Sequence, residues 1–172
     1  AVIGGGPAGM GCAAELAQLG HEVTVFEKKK KAGGLNTYGI AYYKLTPEES
    51  LKEVALVKSL GVKFRCGVEV GRDVTVKQLE SEFDAIFVGV GLGRTYQLGI
   101  PGEDRAGVYE ALDFIELLHT KPLHEVPVGR RVAVIGCGNT AIDAVTQAKR
   151  LGAERAMIIY RRGEADMPAY PY

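Results

Sequence analysis

The chain repeats itself. Shifting the 172-residue sequence by 132 positions lays Val2-Ile3-Gly4 on Val134-Ile135-Gly136, Gly6 on Gly138, Leu19-Gly20 on Leu151-Gly152 and Glu22 on Glu154. Each copy runs from a short apolar stretch into a glycine-rich turn, then into apolar residues at helical spacing, then into a second apolar stretch. In the first copy the helical residues are Met10, Ala13, Ala14 and Ala17; in the second they are Ala141, Ile142, Val145, Ala148 and Leu151. A strand–turn–helix–strand unit of this length buries its apolar faces by laying the helix across two parallel strands. Two such units in one chain leave little choice of architecture.

The glycine spacing adds chemistry. In Gly4-Gly5-Gly6-Pro7-Ala8-Gly9, Gly4 permits the tight turn out of the strand and Gly6 lets backbone approach a pyrophosphate. Gly9 permits close packing of helix on strand, and the helix N-terminus turns free N–H groups and a positive dipole end toward the phosphates. The second unit reads Gly136-Cys137-Gly138-Asn139-Thr140-Ala141, with alanine in the third place. The expected fold class is therefore α/β, with two Rossmann-like dinucleotide-binding units built on parallel sheets, both incomplete in this length of chain. Residues 99–104 read as a linker, so the expected division is one nucleotide-binding domain over residues 1–98 and a second over 99–172.

The ends of the second strands separate the ligands. Glu27 lies 18 residues after Gly9, where a carboxylate accepts hydrogen bonds from an adenosine ribose and repels a 2′-phosphate. The corresponding place in the second unit carries Arg161-Arg162, two guanidinium donors suited to a phosphate dianion. The first unit is thus expected to hold FAD or NAD, and the second NADP(H). Lys28 to Lys31 follow Glu27 directly and read as a solvated loop; the sharper alternative is that one lysine neutralises ligand phosphate or guides a protein partner.

Composition excludes other classes. Lys and Arg number 21 and so do Asp and Glu, which argues against a nucleic-acid-binding surface. Three scattered cysteines, Cys12, Cys66 and Cys137, are too few for a disulfide framework or a zinc site, and no C-x-x-C is present. His21, His119 and His124 read as surface histidines. No apolar run reaches membrane-spanning length, so a cytoplasmic protein with no membrane contact is expected. Both ends read as cut, because the chain opens inside a strand without an initiator methionine and closes soon after another strand.

The remaining elements follow from local signals. Thr46-Pro47-Glu48-Glu49 predicts a capped helix running to Leu60, and Thr75 to Gln78 repeats the cap pattern for a brief one. Strands are expected over residues 23–26, 62–65, 84–89, 131–135 and 156–160, that at 84–89 being the most apolar, and a helix over 109–119.

The strings VIGGGPAG, FEKKKKAGGLNTYGI, YKLTPEES, LGVKFRCGVEVG, DAIFVGVG, IPGED, VIGCGNTAIDA and YRRGEADMPA span nearly all 172 residues. In that order they resemble the flavin- and NADPH-binding portion shared by the glutamate synthase small subunit and dihydropyrimidine dehydrogenase. The resemblance implies FAD contacts at Gly4, Gly5, Gly6, Pro7, Ala8 and Gly9, at Glu27, at Gly34-Leu35, at Lys44, at Val70 and at Gly91. It implies NADPH contacts at Gly136, Cys137, Gly138, Asn139, Thr140 and Ala141, with Arg161 and Arg162 on the 2′-phosphate. Two positions depart from the family pattern: Ala41 stands where proline is common, and Lys44 where arginine is common, so a fork of donors becomes a point charge. The resemblance further implies an enzyme in which NADPH reduces FAD and electrons pass to iron–sulfur clusters outside this chain, in complex with a larger catalytic subunit or domain. No catalytic residue and no metal ligand is expected within the chain itself. The alternative is a non-catalytic nucleotide-binding module that docks a larger electron-transfer subunit.

Overall fold

A computed structural model describes residues 1–93 and 95–170; Pro171 and Tyr172, at the closing end noted above, lie outside the described residues. The chain forms two compact units, Ala1–Thr37 with Leu45–Gly93, and Tyr38–Lys44 with the chain after Gly93. This grouping differs from a single division at residue 99. The linker composition there marks a local turn, in which the Glu103 carboxylate accepts from the Leu98 and Gly99 amides at 2.7 and 2.8 Å. Those amides hold its carboxyl below the usual carboxylate range.

The first unit is a parallel sheet in the order β3-β2-β1-β4, with β1 at Val2–Ile3, β2 at Thr24–Glu27, β3 at Lys63–Cys66 and β4 at Phe87–Val88. Helix α1 (Pro7–Gln18) connects β1 to β2, and its small residues let it lie close on the strands. Ala13 is fully buried with Val2, Val23, Val25 and Val62, and Cys12, Leu16 and Ala17 pack against that core. A single turn, α2 (Leu35–Tyr38), was not visible in the sequence. Helix α3 (Pro47–Ser59) starts where the Thr46 side chain accepts from the Glu49 amide. Helix α4 (Val76–Glu82) starts with a full capping box between Thr75 and Gln78. The apolar stretch 84–89 gives only the two-residue β4, with Phe87 39% and Val88 64% exposed. Among the described residues it pairs with β1 alone, which is why its apolar side chains stay uncovered.

The second unit holds the parallel pair β5 (Arg131–Ile135) and β6 (Arg155–Ile159), joined by α6 (Asn139–Arg150). Helix α5 (Ala111–Thr120) packs Phe114 and Leu118 against Ala144, Ala148 and Val126. The segment Tyr38–Lys44 belongs here as well, although its neighbours in sequence belong to the first unit.

The 132-residue repeat is structural. Helices α1 and α6 cover equivalent spans, and the glycines that open and close each unit share a left-handed backbone: Gly4 at φ +99° and Gly136 at +115°, Gly20 at +89° and Gly152 at +105°. The equivalence then slips. Ile3 stands opposite Phe26, whereas Ile135 stands opposite Ile159, one residue further along than the offset predicts. The amide of Gly4 donates to Phe26 O and that of Gly136 to Ile159 O, which confirms the slip. His21 and Ala153 still occupy equivalent places, bonded to Leu16 O and Ala148 O, so the extra residue enters the short connection after Ala153. The counterpart of Glu27 is therefore Tyr160, and Arg161 and Arg162 occupy the places of Lys28 and Lys29. This corrects the assignment of the arginines to the Glu27 position.

Candidate functional site

Each unit presents a glycine turn at the N-terminus of its first helix. In the first unit the three motif glycines have different surroundings. A Cβ at Gly4 would collide with the Gly89 carbonyl oxygen, and one at Gly9 with the carbonyl oxygen of Gly4. These two glycines are required by chain packing. A Cβ at Gly6 would meet only the Gly34 Cα, at 3.8 Å, so the space in front of Gly6 is open between two glycine-lined stretches of backbone. The loop carrying Gly34 is held there by the Gly33 amide, which donates to Gly5 O at 2.7 Å. In the second unit a Cβ at Gly138 would meet nothing within 4 Å, and Cys137 beside it is buried.

The helix termini sharpen the picture. Helices α3 and α4 are capped by their own threonine side chains, Thr46 and Thr75. Helices α1 and α6 are not: their N-caps are Gly6 and Gly138, no side chain caps either end, and neither first turn carries an acidic residue. Two of the helices thus keep free N–H groups and an uncompensated dipole end at an open glycine turn, an arrangement that suits an anion. Both turns fit a dinucleotide pyrophosphate on these grounds.

Glu27 is 7% exposed at the end of β2. Its Oε2 accepts from the Gly5 amide and its Oε1 from the Lys29 amide, each at 2.8 Å. Each carboxylate oxygen retains a second acceptor site, which leaves capacity for a ribose diol while the side chain is held rigidly against the glycine turn. The loop over residues 67–74 follows β3 and is pinned to the end of β2, since the Val68 amide donates to Glu27 O, and Val70 there is half-buried and bridged to Val74. Leu35 is 57% exposed beside Gly34. Gly91, at φ +72°, lies in the extended stretch beyond β4, two residues after the Gly89 that abuts Gly4 and Gly9. Cys66 at the end of β3 has its thiol pushed up by burial and, second, by the Glu27 charge. Phe26 lies under the Arg65 guanidinium at 5.1 Å and meets Phe83 edge-on at 5.9 Å.

Lys44 groups with the second unit, its ammonium 2.7 Å from Asp143 Oδ1. The same oxygen accepts from the Tyr43 hydroxyl at 2.8 Å, and the Arg150 guanidinium covers the Tyr43 ring at 4.5 Å. Tyr43 titrates above the usual phenol range, first because of burial and then because it donates to the Asp143 carboxylate. The neighbouring histidine is not a surface residue either: His119 is half-buried, with Nε2 at 2.6 Å from Ile40 O and its ring stacked on Tyr42. No sequence signal marked Asp143 as functional; it sits in a helix at a position whose partners come from 100 residues earlier.

Around the second turn, Thr140 is exposed, Ala141 is buried, and the Asn139 side-chain oxygen accepts from the Tyr170 amide at 3.1 Å. Arg161 and Arg162 are exposed, and neither guanidinium has a partner among the described residues. The site residues inferred from sequence therefore fall into two groups, one in each unit, with Lys44 bound to Asp143 within the second unit.

Two dinucleotide-type units in one chain define a class of two-nucleotide oxidoreductases. The chain belongs to the pyridine nucleotide-disulphide oxidoreductase family, whose model matches residues 1–171. It is 42% identical over 176 residues to the glutamate synthase [NADPH] small chain of Halomonas elongata, covering 98% of this chain and 37% of that protein. It is 40% identical to the NADP(+)-dependent formate dehydrogenase subunit beta of Moorella thermoacetica, covering 99% and 24%. Among solved structures, FprA of Mycobacterium tuberculosis in complex with NADPH matches with a TM-score of 0.76 at 25% identity, over 98% of this chain and 44% of that one. The chain thus spans less than half the length of each of these three proteins. The family resemblance and the α/β parallel fold are borne out, and FAD and a pyridine nucleotide are the cofactors that membership carries. No described helix is long and apolar enough to cross a membrane.

Proposed function

We propose that this chain forms the nucleotide-binding part of an NADPH-dependent FAD oxidoreductase of the glutamate synthase small-subunit or dihydropyrimidine dehydrogenase type. FAD occupies the turn at Gly4–Gly9 and NADPH the turn at Gly136–Ala141. Hydride transfer from NADPH to FAD is the chemistry these cofactors supply when bound. In the whole protein, iron–sulfur clusters outside this chain would supply one-electron transfer toward a larger catalytic subunit or domain of a cytoplasmic complex.

The residues of the chain bind and orient. The N-termini of α1 and α6 take the pyrophosphates, Gly6 and Gly138 keep side chains out of the way, and Glu27 holds the ribose diol of the flavin nucleotide. Gly34-Leu35, Val70 and Gly91 complete the flavin side, and Thr140 the nicotinamide side. The observation that carries the reading is an opposition of charge. One unit ends its second strand on a rigid carboxylate, which would repel a 2′-phosphate; the other follows its second strand with two exposed guanidinia that have no partner among the described residues. The relatives include NADPH- and NADP(+)-dependent proteins by name, which supports the choice of nucleotide.

The test is the double variant Arg161→Ala/Arg162→Ala in the full-length protein. A charge-assisted contact contributes about 1.5–3 kcal/mol, so NADP+ affinity should fall by about 100-fold or more, while NAD+ affinity changes little. An unchanged preference between the two nucleotides would overturn the assignment.

A further inference from the structure

The slip in register puts Tyr160, not a carboxylate, where Glu27 stands in the first unit. The Tyr160 hydroxyl donates to the Asp166 carbonyl oxygen at 3.0 Å and closes a loop that contains Arg161 and Arg162. A short 3-10 turn, Glu164–Asp166, tightens that loop, with the Asp166 amide on Gly163 O and the Met167 amide on Glu164 O. The chain then returns to the glycine turn, where the Tyr170 amide meets the Asn139 side-chain oxygen at 3.1 Å. Asn139 is the first residue of α6, directly after Gly138. The stretch that begins with the two exposed arginines is thus tied down at one end by Tyr160 and at the other by Asn139.

We propose that Asn139 and Tyr160 are positioning residues for 2′-phosphate recognition: they hold residues 161–170 as a clipped loop that presents Arg161 and Arg162. The inference rests on the NADPH reading above and deepens it, since it moves Asn139 from a nucleotide contact to a fastener. An unclipped loop carrying two long, flexible side chains would lose conformational freedom on binding, and the clips remove part of that cost in advance. The benefit falls on the nucleotide that uses the arginines and not on the one that lacks the phosphate.

The test compares Asn139→Ala, Tyr160→Phe and Arg161→Ala/Arg162→Ala in the full-length protein. Calorimetry gives the dissociation constants of NADP+ and NAD+, and amide hydrogen exchange follows residues 163–170 without nucleotide. Tyr160→Phe removes one hydroxyl and keeps the ring, so it reports on the clip even if Asn139→Ala disturbs the start of α6. Each clip variant should speed exchange in the loop and weaken NADP+ about tenfold, with NAD+ within about twofold. Equal weakening of both nucleotides, or of neither, overturns the clip. If only the arginine variant loses the preference, the clip alone falls; if all three variants keep it, the NADPH reading falls with it.

Discussion

At the scale of single residues, the two kinds of glycine in this chain make opposite predictions. Gly9 lies so close to the Gly4 carbonyl that a Cβ has no room, whereas Gly138, with an ordinary extended backbone, faces open space. Gly9→Ala should therefore destabilise the fold by at least about 1–3 kcal/mol, the usual cost of overpacking. Gly138→Ala should leave stability within about 0.5 kcal/mol and still weaken NADP+ binding, because the new methyl group stands where the pyrophosphate approaches. Denaturant unfolding and calorimetry on the two variants check both halves. Glu27 combines the two roles. Its carboxylate satisfies the Gly5 and Lys29 amides in a buried place, so Glu27→Ala leaves two donors unpaired. A loss of about 2–4 kcal/mol in unfolding free energy is expected even without cofactor, together with loss of FAD from the purified full-length protein. A variant of unchanged stability would show that the carboxylate has no part in holding the turn.

At the scale of elements, the segment Tyr38–Lys44 is the least expected feature. It leaves the first unit after Thr37, whose hydroxyl is buried on Ala32 O and Ser50 Oγ, and packs Tyr42, Tyr43 and Lys44 on α5 and α6. The Tyr43 phenol is held above its ordinary value, so the folded state favours the protonated form. Its contribution to stability is complete below the ordinary phenol value of about 10 and is lost as pH rises through the folded value. Wild type should accordingly lose more stability than Tyr43→Phe above about pH 10. Equal alkaline losses, followed by denaturant unfolding, would mean that the Asp143 contact does not depend on the phenolic proton. The capped helices behave more simply: Thr46 and Thr75 were legible as starts because a capping side chain and its amide lie three residues apart, and local signals survive folding.

At the scale of the whole molecule, what could be read in advance follows the same division between local and distant contacts. The repeat, the two glycine turns and the parallel pairing were legible because each unit is written in about 30 consecutive residues with a shared pattern. The one-residue slip after Ala153 was not, since a connection carries no periodicity to betray an extra residue, and it displaced the arginines from the place of Glu27 to the places after it. The apolar run at 84–89 was read as a strong strand because hydrophobicity records a tendency to be covered, whereas among the described residues β4 finds only one neighbour. The bonds Asp143–Lys44 and Asn139–Tyr170 join residues 99 and 31 positions apart, and no spacing rule reaches so far. The assignment of FAD to one unit and NADPH to the other is tested by anaerobic titration of the purified full-length protein, followed by flavin absorbance. The expected result is a bound flavin that about one equivalent of NADPH bleaches, with NADH far less effective. A protein that carries no flavin, or one that NADH reduces as readily as NADPH, would contradict it.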